Sequence, residues 1–115
     1  MNEKAFVVTI RTTDTYADGM KAPFRANIRD DMRVLYTVQF IPFPYLDEGV
    51  PCGRLESLSE GVFDAFSVGS ELPLFTGPTC IGVAVVRRVL RAHWVENDFI
   101  AHPEQPMRRM EWREE

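Results

Sequence analysis

Four side chains in this 115-residue sequence have the chemistry of a nucleophile, a base or a soft metal ligand: Cys52, Cys80, His93 and His102. No pair among them stands at a Cys-x-x-Cys or His-x-x-x-His spacing. A zinc site would need all of them drawn together from separate segments. Cys80 lies in an apolar, β-branched run, where a thiol is disfavoured from ionising, and no base is set beside it in the sequence. The acid pairs Asp30-Asp31, Asp47-Glu48 and Glu114-Glu115 are neighbours in loop-like segments and read as solvated surface. No Gly-x-x-x-x-Gly-Lys-Ser/Thr phosphate loop occurs. The expectation is a non-enzymatic chain with no metal, no nucleotide and no other cofactor.

Binding has firmer footing. Lys21, Arg25 and Arg29 cluster in one stretch, and Arg87, Arg88 and Arg91 in another, with His93 and Trp94 beside them. Basic groups next to an aromatic platform suit single-stranded nucleic acid. Two features weigh against RNA. The net charge of −4 gives no general attraction to a polyanion or an anionic membrane. In an alternating strand Arg87 and Arg88 also point to opposite faces. The run Ile41-Pro42-Phe43-Pro44-Tyr45-Leu46 suits a protein contact better. It is too rich in proline to join a strand core. It reads either as a lid laid over one end of the core or as an exposed contact loop carrying Phe43 and Tyr45. Trp94 and Trp112 read first as anchors and second as interface residues.

The elements that must carry these residues are mostly strands. Ala5 to Arg11 alternates, with Phe6, Val8 and Ile10 on one face. Thr12 to Pro23 reads as loop and turn. Met32 to Phe40 alternates again, with Val34, Tyr36, Val38 and Phe40 together. Pro42, Pro44, Gly49, Pro51 and Gly53 then predict a long loop or edge segments. Leu55 to Phe66 has apolar residues at helical spacing, interrupted by Gly61, and is left open between helix and strand. Glu71 to Phe75 is a short strand. A turn at Thr76-Gly77-Pro78 leads into a long strand from Cys80 to Arg91, in which Gly82 is tolerable only where the backbone bends or another chain comes close. Val95 to Ile100 extends this strand or turns, and residues from about 102 to 115 form a partly flexible tail.

The last strand, with Gly77, Gly82, Val85-Val86 and Val89-Leu90 in order, resembles the C-terminal β-barrel domain of elongation factor Tu. The first part of the chain resembles the same domain: Phe6 to Arg11, then Gly19, Lys21, Pro23-Phe24 and Asn27-Ile28-Arg29. The resemblance implies a six-stranded antiparallel Greek-key barrel and a link to translation. It puts Lys21, Phe24, Arg29, Thr76 and Gly77 at a partner surface. The family's two T-stem contacts fall on Asp31 and Phe40 here, and neither offers the family's hydrogen-bonding group: an aspartate repels a phosphate, and phenylalanine lacks a hydroxyl.

With 45% hydrophobic and 26% charged residues the chain reads as one soluble domain spanning residues 1–115. It shows no leader-like start and no membrane-spanning run, and its two cysteines read as inert buried thiols, so a reducing cytoplasm is expected. The functional expectation is a macromolecule-binding module, with protein favoured as partner over RNA. In the RNA alternative Lys21, Arg25, Arg29, Arg88 and Arg91 would make the contacts. A third reading, a neutralising immunity-type inhibitor, rests only on small size and acidity. The sequence leaves the oligomeric state open.

Overall fold

The computed structural model describes residues 4–29, 32–96 and 108–115. Its seven strands form a single antiparallel sheet: β1 (Lys4–Arg11), β2 (Phe24–Arg29), β3 (Leu35–Asp47), β4 (Val50–Ser57), β5 (Glu71–Thr76), β6 (Thr79–Glu96) and β7 (Arg108–Glu114). The order is β1-β4-β3-β2-β5-β6-β7, and β6 also pairs with β1, so the ladder returns on itself. The weakest seam is β2–β5, where one residue pair, Asn27 and Phe75, is in register.

The alternating apolar residues lie inside the sheet. Phe6, Val8 and Ile10 from β1 meet Ile28, Val38, Phe40, Leu55, Leu72, Leu74, Ala84 and Val86, all buried. Burying each large side chain is worth roughly 1.5–3 kcal/mol. Phe63, on a 3-10 helix at Val62–Ala65, stacks on Phe6 with ring centroids 4.3 Å apart. Ala5 and Thr9, on the opposite face of β1, are buried as well, and the Arg87 side chain lies against Thr9.

Several expectations need correction. Thr12 to Pro23 is not wholly loop. It holds one helical turn, α1 (Asp14–Ala17), and a 3-10 helix at Asp18–Lys21 that buries Met20. The prolines do not end β3. The strand continues through Pro42 and Pro44 because its pairing slips between Pro42, opposite Gly53, and Leu46, opposite Pro51. The residues between, Phe43 to Tyr45, face only Cys52 across the ladder. A bulge of this kind absorbs the amide that proline lacks. The helical spacing over Leu55–Phe66 resolves into the end of β4 and the separate 3-10 turn.

Bulges also revise the reading of the last long strand. Val7 pairs with Arg88 and Val8 with Val86, leaving Arg87 as the extra residue. Alternation breaks there, so Arg87 and Arg88 are both exposed rather than on opposite faces. A second slip leaves Ile81 unmatched between Gly82, opposite Leu74, and Cys80, opposite Phe75. Cys80 is consequently exposed, against the expectation of a buried thiol, whereas Cys52 is buried. Gly82 meets the predicted close approach: a Cβ there would lie 2.9 Å from the Arg11 carbonyl oxygen. The expected tail contributes a strand, since Arg108–Glu114 pairs with the end of β6. The rest of that tail, the 97–100 part of the possible strand extension, His102, and the Asp30-Asp31 pair lie outside the described residues.

Candidate interaction surface

The connection between β1 and β2 makes a ridge with a hollow on either side. Its key residue is Met20, buried to 2% exposure at the end of the one-turn helix and 3-10 segment. Tyr16 packs against the core beside it. Thr12 ties the ridge to β6, its hydroxyl donating to the Ile81 carbonyl at 2.6 Å. Met20 therefore forms a wall common to both hollows.

The first hollow, of about 310 Å³, is lined by Met20, Lys21, the stretch from Pro42 to Leu46, Pro51 and Cys52. The β3 bulge builds it. By opposing one residue with three, the bulge throws Phe43 and Tyr45 out of the ladder and lets their rings stack at 5.5 Å. Tyr45 is 61% exposed and Leu46 53%. The ring pair gives an apolar rim that retains few rotamers, as an interface anchor requires. The Cys52 thiol donates to the Tyr45 carbonyl at 3.4 Å and fixes the base of this rim. Burial, together with the nearby Asp47 carboxylate, pushes the Cys52 pKa up, so the thiol stays protonated and inert. Lys21 stands at the edge, paired with Asp18 at 3.2 Å.

The second hollow, of about 290 Å³, lies across the ridge between Thr15, Tyr16, Gly19, Met20, Phe24, Arg25, Thr76 and Ile81. Phe24 is held by Phe40, with ring centroids 5.2 Å apart. Thr76 arrives from the β5–β6 hairpin, where Thr76 pairs with Thr79 around Gly77-Pro78. Gly77 takes φ of 58° at the first central position, the requirement of a type II′ turn. Both hollows sit at the lower limit of small-molecule pockets, about 300 Å³, and suit protruding side chains better than a cofactor.

The structure thus gathers Lys21, Phe43 and Tyr45 around one hollow and Phe24 and Thr76 around the other, with Gly77 adjoining in the turn. Arg29 lines neither; its guanidinium stacks on Phe75 at 4.3 Å. Met20, the residue common to both hollows, carried no sequence signal beyond being a large aliphatic residue in a mostly polar loop. Of the two positions that the sequence resemblance would set against a T stem, Phe40 is fully buried and Asp31 lies outside the described residues.

The basic residues do not form one strip. Arg25 lines the second hollow, while Arg88 faces Glu114 at 3.8 Å and Arg91 hydrogen-bonds Glu115. Arg87 donates from its bulge to the Thr9 hydroxyl at 3.1 Å. Among the described residues no three His, Cys, Asp or Glu side chains gather as metal ligands, and no helix is long and apolar enough to cross a membrane. No family model, no curated protein and no solved structure matches this chain.

Proposed function

We propose that this chain is a protein-binding module, similar in architecture to the C-terminal Greek-key barrel of elongation factor Tu, whose partner belongs to the translation apparatus. The β1–β6 pairing, by which six strands follow one another in a ring with β7 appended, supports the barrel reading. The binding reading is carried by the stacked Phe43–Tyr45 pair, Phe43 half-buried and Tyr45 exposed, on the rim of an apolar hollow. A partner supplying one aromatic or aliphatic side chain on each side of the Met20 ridge would cover both hollows. Interfaces with such anchors draw most of their affinity from a few residues.

RNA recognition fits less well. Arg88, Arg91 and Lys21 each have a carboxylate beside them, which reduces the field a phosphate would meet.

The test is co-purification from the native cell with protein and RNA both identified, followed by titration of the purified partner. Phe43→Ala with Tyr45→Ala is expected to weaken that complex by more than about tenfold, with little dependence on salt. Normal binding by that double variant, or a target lost on nuclease treatment and steeply salt-sensitive, would overturn the reading.

A further inference from the structure

Among the described residues β7 is the one strand with a single neighbour; each of the others is paired on two sides. The way its backbone points follows from one bond. The amide of Glu115 donates to the Val89 carbonyl on β6 at 3.0 Å. In an antiparallel ladder the backbone groups of successive residues face alternate edges. Arg109, Glu111 and Arg113 therefore present their N–H and C=O groups to β6 along with Glu115. Those of Met110, Trp112 and Glu114 face away.

Neither proline, glycine nor a bulge interrupts this open edge. Residues 108–115 contain no proline or glycine, and the pairing with β6 runs without a slip. Edge strands are ordinarily protected by such devices or by charged side chains, whose effect against a second copy depends on whether like or unlike charges come opposite. Within β7 Glu111 already bridges Arg109 at 2.9 Å and Arg113 at 3.1 Å. Here the charges on one face alternate: Arg109, Glu111, Arg113, Glu115. An antiparallel strand with that pattern is its own complement.

We propose that β7 is the interface of a homodimer, two copies joining edge to edge in antiparallel register with Trp112 on the twofold axis. In that register Trp112, whose backbone groups face away from β6 and whose half-buried ring lies 5.8 Å from the Arg54 guanidinium, meets its own copy, and Met110 meets Glu114 of the other chain. Glu111 then opposes Arg113 of the second copy, and Arg109 opposes Glu115, each pair occurring twice. The neighbouring registers are worse. With Glu111 on the axis, glutamate faces glutamate and Arg109 faces Arg113. With Arg113 on the axis, arginine faces arginine and Glu111 faces Glu115. Like charges directly opposite are destabilising and unlike charges stabilising, so the charges favour the Trp112-centred register over its two neighbours, and it also pairs the whole of Arg109 to Glu115. The chosen register also brings Met110 and Trp112 of both copies onto one face of the extended sheet.

Sedimentation equilibrium of the full chain over a wide concentration range tests this. A reversible monomer–dimer equilibrium is expected. Met110→Pro removes an N–H that faces away from β6, leaving the β6–β7 ladder intact, and should raise the dissociation constant about tenfold or more. Glu111→Arg should weaken the dimer through two new arginine–arginine pairs. Adding Arg113→Glu to that variant again sets unlike charges opposite one another at 111 and 113 and should restore the dimer. If Met110→Pro perturbs the fold, the charge-swap pair decides alone. A monomer at every concentration, a dimer indifferent to Met110→Pro in a folded chain, or a double swap no better than the single reversal would each overturn the proposal.

Discussion

Gly53 lies directly against the ring of Phe40: a Cβ on the glycine would come within 2.8 Å of two ring carbons, and closer still to the carbonyl oxygen of Ile41. The core aromatic of β3 is seated through the missing side chain of β4. Gly53→Ala must therefore displace backbone or Phe40, at a cost of about 2–4 kcal/mol, within the range of severe overpacking and strain. Urea denaturation reads this as a lower midpoint with an unchanged slope.

Phe63 fills one end of the interior from a short turn, stacked on Phe6 at 4.3 Å. Few other residues of that turn are buried. Phe63→Ala should cost about 3–5 kcal/mol, as large-to-small changes of buried aromatics do. Phe63→Leu should recover much of the loss. Thermal denaturation compares the two.

The two thiols should behave oppositely. Exposed Cys80 is expected to react with a disulfide reagent in the native state, and buried Cys52 only after unfolding. Because the folded state raises the Cys52 pKa, its contribution is fully present below the ordinary thiol value of about 9. Above that value the unfolded chain loses its proton first, and stability falls. Cys52→Ala should therefore lose less stability than wild type between pH 7 and 10, measured by denaturant midpoints at each pH. An identical fall in both chains would rule the effect out.

Glu114 and Glu115 stand beside Arg88 and Arg91. Removing the carboxylates while keeping the shape, Glu114→Gln with Glu115→Gln, should raise affinity for a polyanion. The expected readout is later elution from heparin in a salt gradient. Unchanged elution would show that these carboxylates do not govern the arginines.

The parts of the fold that the sequence makes legible are strands whose own residues alternate without an insertion or run unbroken and apolar. β1 and β5 are of this kind, as is the apolar stretch of β6, where Gly82 announces a close neighbour. The parts it hides depend on slips in the ladder. Arg87 is one extra residue, and it turns two arginines expected on opposite faces into two exposed ones. Pro42 and Pro44 break every local rule for a strand, yet the bulge beside them lets β3 continue to Asp47. The same bulge frees Phe43 and Tyr45, so the exposure of Tyr45 was foreseeable from composition while its stacking on half-buried Phe43 was not. β7 is hidden for a different reason: its alternation is of charge rather than of hydrophobicity, and its partner is the far end of the longest strand.

The β1–β6 seam sets a timetable for synthesis. Thr9 and Arg87, bonded across it, are 78 positions apart in the chain. At about 5–20 residues per second the ribosome needs roughly 4–16 s to deliver the second after the first. For the latter part of that interval β1 has only β4 beside it, and its edge toward β6 stays available to any other nascent chain nearby. Non-local closure of this kind also slows folding itself. The seam that completes the native molecule is thus where newly made copies are most exposed to misassembly.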